Sequence, residues 1–554
     1  MPTGFRPSGP APQTRAPSGW HMAWNAVLYV VVLDMLIRGL FLPPLLHAVH
    51  PRPGTSGNER GPAGNYSRSA RAKGGPSQNT ERRTHFATPP ETGIIPTSTG
   101  RRRSMKIEWE KATDEAVQHL QALLRINTTN PPGNEREAAD YLADVLSAEG
   151  YDPVVLESAP LRGNVVVRYR GSGEDPPLLL LSHLDVVPAE PEHWQHDPFG
   201  GKLVDGMIWG RGALDMKSIV VMQLMTMLLL KREETQLARD VIFAATADEE
   251  MGGKYGAGFL VDQHLDLIQA EHALSEFGGF PVDLGGRRVY LCQVAEKGIC
   301  WVRMRARGRP GHGSMPHQDN ATVKLAEAVA KLGRVDLPFH RTDAVTEMFE
   351  GMASSLGGIP GAGLRLLLNP ALSPPLLRLL LGNHPFASYF HALLHNTVSP
   401  TVLRAGNKTN VIPSEAEVEL DGRILPGQSL ETFLAEVQAV VGPGFEFEPI
   451  EIAPPVETTS RTPLFATMAE VLERHDPGVA VVPMVMVGGT DAKHLARAGI
   501  PCYGFSPMCL PPEIDFLGMV HGHNERIPIE ALAFGVRVLY EVVEAYCSRG
   551  TEDH

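Results

Sequence analysis

Several apolar runs in this 554-residue chain end on residues able to bind metal or move protons. LLLLSHLDVVP leads into His183 and Asp185, VIFAATADEE into Asp248, Glu249 and Glu250, and HALSEFGG into Glu276. Asp215 lies in the glycine-bounded turn GRGALDMK at the head of an apolar stretch, and His521 lies in MVHGHNERIP. Imidazole and carboxylate without thiolate suit zinc, or cobalt or manganese. Two such ions about 3.5–4 Å apart need a carboxylate whose two oxygens bridge them. Adjacent glutamates can divide the work, one binding metal while the other moves protons. Taken singly, each residue has an ordinary reading: a strand-end histidine in a hydrogen-bonded core, paired glutamates on a solvated turn, Asp215 as a helix N-cap, Asp185 as a turn cap. Their joint placement at strand ends and turns favours a metal site.

The elements that must position these residues are legible from periodicity. Residues 134–149 form an amphipathic helix with Gly150 where a C′ glycine belongs. Asn164–Tyr169, Leu178–Ser182 and Val241–Ala247 are short strands, with a long apolar helix over Met216–Lys231 between two of them. Such alternation predicts an α/β layer, and the C-terminal ends of strands in an open α/β sheet converge on a ligand crevice. After Lys297 the pattern changes. Residues 299–307 alternate as a half-exposed strand, a helix follows over 320–333 with Asp319 as its N-cap, 399–405 and 414–423 are strands, 429–441 is a helix, and 444–452 alternates again. This β-α-β-β-α-β order is the ferredoxin-like arrangement, inserted into the first domain. An apolar excursion over 345–398, within the insert, is too long for a plain loop and is either functional or helical in its own right.

Two compact domains suit the length. Net charge is −13 overall, but residues 1–104 carry 13 Lys/Arg against 4 Asp/Glu, so the body carries −22. An acidic body argues against nucleic acid as a partner. The five cysteines form no Cys-x-x-Cys pair and are odd in number, which argues against a disulfide framework and a thiolate metal site and suits a reducing, cytoplasmic compartment. Residues 26–46 are apolar, but Asp34, Arg38 and Pro43–Pro44 count against a clean spanning helix. Residues 48–104 have the composition of a disordered segment. Two readings of 1–104 stand: a non-native extension preceding a start at Met105, or an N-terminal membrane anchor with a basic linker.

In these segments the chain resembles the zinc metallopeptidase family that includes aminoacylase, carboxypeptidase S, glutamate carboxypeptidase and succinyl-diaminopimelate desuccinylase. The resemblance covers about 106–548. It rests on SHLDVVP with W-x-x-x-P-F-G, GRGALDMK, TADEEMGG, RPGHGSMPHQDNA, TNVIPSEAEVELDGRILPG, GGTDAKHL and HGHNERIP, in the family's order. Met216 and the SEFGG around Glu276 depart from the more usual family residues. The fold implied is an α/β di-zinc catalytic domain (105–296 and 454–548), its central sheet flanked by helices, with an inserted ferredoxin-like α+β lid and dimerisation domain at 297–453.

The resemblance also implies residue roles. His183 and Glu276 would bind one zinc, Glu250 and His521 the other, and Asp215 would bridge both. In HGHNE both His521 and His523 are candidates, and the family pattern selects His521. Asp185 would orient His183, and Glu249 would be the general base and acid. His312 would reach a partner subunit's active site in a homodimer. Asn410 and Arg423 would contact substrate, Arg423 by gripping its carboxylate, and Gly489, Thr490 and Asp491 would form a substrate-side loop. The activity implied is hydrolysis of an amide bond beside a free carboxylate, in a small peptide or an N-acyl amino acid. The alternatives are a biosynthetic deacylase of the desuccinylase type and a catalytically silent binding protein on the same fold.

Overall fold

The computed structural model describes residues 107–380, 385–511 and 514–548. The segment 1–104, with its apolar run 26–46, lies outside them. No helix among the described residues is long and apolar enough to cross a membrane.

A mixed sheet forms the larger layer. Its order is Val154–Ala159, Arg162–Tyr169, Arg239–Thr246, Asp175–His183, His272–Ser275, Cys502–Gly504 and Arg287–Glu296, and the last of these also pairs with Gly278–Leu284, Val456–Glu457 and Ala480–Met486. The four strands in the middle, from Arg239–Thr246 to Cys502–Gly504, are mutually parallel, so their C-terminal ends share one edge of the layer. In that register His183 lies opposite Thr246, which places the Asp248–Glu250 turn beside it. Strand alternation sends side chains to two cores. Val165, Leu178, Leu180, Val241 and Phe243 face one, and Val166, Leu179, Leu181, Ile242 and Ala244 face the other.

The helix Lys217–Arg232 is buried from Lys217 through Leu230, as an all-round apolar helix should be, between the sheet and the helices Trp109–Arg125 and Ile529–Ser548. Its last residue, Arg232, holds Glu115 and Glu149 through paired hydrogen bonds of 2.6–3.0 Å, tying three helices together. The helix Glu135–Ala148 ends with Gly150 at φ +82°, the left-handed conformation in which glycine costs least.

The second sheet is antiparallel, in the order Thr397–Ala405, Glu415–Ile424, Gly298–Arg307, Phe445–Ala453. Together with the helices Ala321–Leu332 and Leu430–Val441 it has the ferredoxin-like chain order. Cys300, Val302, Met304 and Ala306 join Val418, Leu420, Phe433 and Val437 in its core. On the opposite face Arg303, Arg305 and Arg307 stand in register with Glu419, Glu417 and Glu415, so cross-strand pairing alternates charge rather than opposing like charges. The N-cap of Ala321–Leu332 is Asn320, whose side chain accepts from Thr322 N. Asp319, expected in that role, pairs with Lys324 instead.

The excursion is helical: Asp343–Leu356, Gly358–Leu366, Ser373–Leu380 and Pro385–Leu394. Although it leaves and re-enters the chain within the insert, its apolar residues do not join the lid core. Val345, Met348, Phe349, Leu364, Leu367, Leu393 and Leu394 are continuous with the core of the larger sheet, and its first helix packs on the strand Ala480–Met486. Tyr389 Oη donates to Val485 O at 3.0 Å. All five cysteines are free thiols.

Candidate metal centre

His183 ends its strand fully enclosed, with Nε2 3.2 Å from Asp215 Oδ1 and 3.4 Å from Glu276 Oε2. His521 stands on the other side of Asp215. Its Nε2 is 3.3 Å from Asp215 Oδ2 and 3.2 Å from Glu250 Oε2. Five residues from five separate segments thus form two groups that share Asp215, and within each group one donor atom per residue lies within 4.8 Å of the others. Asp215 offers one carboxylate oxygen to each group. His523, the other histidine of the motif, faces away and pairs with Glu190 at 2.9 Å.

The turn that aims Asp215 is held by a carboxylate the sequence reading did not single out. Glu525, fully buried, accepts from the backbone N–H groups of Gly212, Leu214 and Asp215 at 2.6–3.0 Å and pairs with Arg211 at 2.8 Å. Its motif, HGHNERIP, was in view for His521, but nothing in a single sequence marks Glu525 as an interior acceptor.

Asp185 performs a comparable task on the other side. Its backbone carbonyl is 3.0 Å from His183 Nδ1, with its carboxylate at 3.4 Å. The same carboxylate accepts from the N–H groups of Glu249 and Glu250, both at 3.1 Å, so one side chain orients a histidine and fixes the turn bearing both glutamates. Behind it, Asn130 bonds Asp185 and Asp248, and Arg162 pairs with Asp248 at 2.7 Å and Glu135 at 2.9 Å. Asp248 itself sits at φ +74°. Asn130, Arg162 and Glu135 carried no signal of their own in the sequence, because polar residues outside strand ends read as surface.

The electrostatics suit cations. Burial raises the Glu276 carboxyl to about 7, with Asp215 and Glu250 adding to the effect. Burial and then the charge of Glu276 hold Glu249 well above the usual carboxylate range. Burial opposes charge on His183, yet Glu276, Asp185 and Asp215 push it well above the ordinary imidazole value, and contacts with Asp215 and Glu250 push His521 to about 10. Glu250 Oε1 is buried without a hydrogen-bond partner. An excess of enclosed carboxylate, an orphaned carboxylate oxygen and two imidazoles, with no thiolate, form the donor set that divalent cations of the zinc type satisfy.

Thr490 and Asp491 are buried beside this site. Glu296 accepts from Thr490 N and Oγ1, and Asp491 Oδ2 accepts from Thr246 Oγ1 at 3.3 Å. Gly489, half-buried, precedes them. The lid residues are placed differently. His312 is exposed, with Nδ1 2.7 Å from Ser314 Oγ. Asn410 is also exposed, and Arg423 is engaged with both oxygens of Asp421 at 2.8 and 3.2 Å. Among the described contacts none joins these three to the five donor residues.

The profile of peptidase family M20/M25/M40 matches residues 179–545, from the strand carrying His183 into the C-terminal helix. The chain belongs to this family. As an M20/M25/M40 protein it is a hydrolase, of a family whose members are metal-dependent. It is 30% identical over 432 residues to an N-fatty-acyl-amino acid synthase/hydrolase of Mus musculus, covering 71% of this chain and 80% of that protein. It is 31% identical over 399 residues to a probable carboxypeptidase S-like protein of Dictyostelium discoideum, covering 69% and 74%. An M20 family metallo-carboxypeptidase from Sulfolobus solfataricus shares the fold, with a TM-score of 0.58 at 19% identity over 78% of this chain and 99% of that one.

Proposed function

We propose that this M20/M25/M40 protein is a two-metal amidohydrolase that cleaves the amide bond of N-acyl amino acids or small peptides beside a free carboxylate. The observation that carries the reading is the sharing of Asp215 between two His/carboxylate groups, with Glu249 fixed on the adjoining turn. His183, Glu276 and Asp215 would hold one ion and Asp215, Glu250 and His521 the other, zinc being the first choice and cobalt or manganese the alternatives. Bound there, such ions lower the pKa of a water to about 7 and polarise the scissile carbonyl. Glu249, which belongs to neither donor group, takes the proton from the attacking water on its carboxylate and returns it to the leaving nitrogen. His312, Asn410 and Arg423 lie on the lid, so their part requires lid closure. His312 acts across a homodimer interface formed by the lid. A cytoplasmic enzyme fits the five free thiols.

The substrate reading leans towards an apolar acyl group. It is supported by the likeness to a fatty-acyl hydrolase and by the apolar helices of the excursion, which reach the strand Ala480–Met486 just before the Gly489–Asp491 loop. Leu364, Leu367, Leu368, Leu377, Leu393 and Leu394 of the excursion are spent on core packing, while Leu366, Leu372 and Leu379 remain exposed. Each methylene buried with substrate contributes ~0.8 kcal/mol, so three more should raise kcat/KM more than about tenfold. The measurement is kcat/KM across N-acyl amino acids from acetyl to dodecanoyl. A steady rise is expected. A flat profile, or a preference for acetyl or succinyl, would refute the apolar reading and favour an aminoacylase of short chains or a desuccinylase.

A further inference from the structure

The pentapeptide LRLLL occurs twice in the excursion, at 364–368 and 377–381. In both copies the leucine before the arginine is buried and the leucine after it is exposed. Leu364 and Leu377 join the core of the larger sheet, while Leu366 and Leu379 face water. The likeness extends upstream. Ile359, Ala362 and Leu366 are exposed along the helix Gly358–Leu366, and Leu372, Pro375 and Leu379 are exposed along and just before the helix Ser373–Leu380. Both sets have the spacing i, i+3, i+7, which is one helical face. Each helix therefore turns inner leucines to the same core and an apolar stripe, flanked by the exposed Arg365 or Arg378, away from it.

A single exposed leucine is ordinary on a protein surface. Here Ile359, Leu366, Leu372 and Leu379 are each between 41% and 73% exposed within one short segment. The charge around them is as uneven. Residues 351–414 contain no Asp or Glu, in a chain whose net charge is −13. Arg365 is held by Glu350 at 2.6 Å, whereas Arg378 pairs with no described residue. Apolar stripes bordered by arginine, in a segment free of acid, complement a surface that is anionic outside and apolar beneath, as the interface of an anionic bilayer is. A second copy of the chain is the poorer occupant. A twofold contact of this face would bring Arg378 against a segment without carboxylates, since Glu350 is already engaged.

We propose that the helices Gly358–Leu366 and Ser373–Leu380 form an interfacial docking surface by which the enzyme rests on an anionic lipid bilayer. Ile359, Leu366, Leu372 and Leu379 enter the boundary between headgroups and acyl chains, and Arg378 meets lipid phosphate. This goes beyond the hydrolase reading and does not depend on it, because vesicle binding is measured without turnover.

The test floats the full chain with vesicles of phosphatidylcholine and phosphatidylglycerol in equal parts, and with vesicles of phosphatidylcholine alone. Binding to the anionic vesicles should exceed binding to the neutral ones by about tenfold and weaken as salt is raised. Leu366→Ser/Leu379→Ser should weaken it by at least about tenfold, and Arg378→Gln by about threefold. Both variants should keep the wild-type melting temperature, since all three side chains are exposed. Hydrogen exchange on the wild type localises the contact: residues 358–380 should gain protection when anionic vesicles are added. The proposal is overturned if the double variant floats as the wild type does, or if 358–380 gains no protection; either result would assign any membrane contact to another segment, such as the apolar run 26–46. Equal binding to neutral vesicles, or no binding to either kind, would overturn it as well. So would a dimer, seen by sedimentation without vesicles, that the double variant dissociates, because a second copy would then be the occupant.

Discussion

Glu249→Gln should reduce kcat by about 10²–10⁴-fold while leaving the metal content of the chain unchanged. The carboxylate of Glu249 is absent from both donor groups, and its turn is held through its backbone N–H, which donates to Asp185 and survives the substitution. What the amide cannot do is accept a proton from water and hand it on. In the metal-free chain the substitution should also leave the melting temperature unchanged or higher, because burial and then the charge of Glu276 disfavour the ionised form of Glu249. Kinetics on a good substrate, elemental analysis and a thermal melt check all three expectations. Activity near the wild-type level would remove Glu249 from the proton-transfer role, and a loss of metal would mean that it serves as a ligand.

Asp215→Ala should have a larger effect, because one carboxylate serves both groups. Metal content should fall at both positions and hydrolysis below detection. Glu276→Ala and His521→Ala should each impair one position, since each residue belongs to one group. The contrast is diagnostic: additive behaviour among the five ligands would not single out Asp215, whereas a bridge predicts that its loss alone equals the loss of the other two together. Two tightly held ions in Asp215→Ala would contradict the shared-ligand geometry.

The parts of this site that were legible in the sequence are those that follow from strand direction. His183, Glu249, Glu250 and Glu276 each stand at or just past the end of an apolar run, and parallel strands bring such ends together. Asp215 and His521 lie in irregular segments, where only motif likeness pointed to them. The residues that hold the site in shape were invisible for a physical reason. Glu525, Asn130, Arg162 and Glu296 are polar residues whose burial depends on contacts more than 30 positions away in the chain, which no local pattern records.

The fold divides along the same line. The periodicities of the sheet, the apolar helix Lys217–Arg232 and the ferredoxin-like order were readable, because burial on one face repeats at 2 or 3.6 residues. The attachment of the excursion was not. Its helices show an apolar face but not which of two cores receives it, and the larger core does. Likewise His312, Asn410 and Arg423 all fall in the inserted segment, and their separation from the two donor groups that share Asp215 is something no periodicity describes.

The central claim is that two divalent cations share Asp215 and that hydrolysis depends on both. The most direct test is to strip the wild-type chain with a chelator, remove the chelator, and return zinc in steps while following metal bound per chain and kcat on an N-acyl amino acid. The account predicts an inert stripped enzyme whose activity reaches its full value only as the second equivalent binds, with the same stoichiometry lost in Asp215→Ala. Full activity in a chain holding one ion, or none, would contradict it.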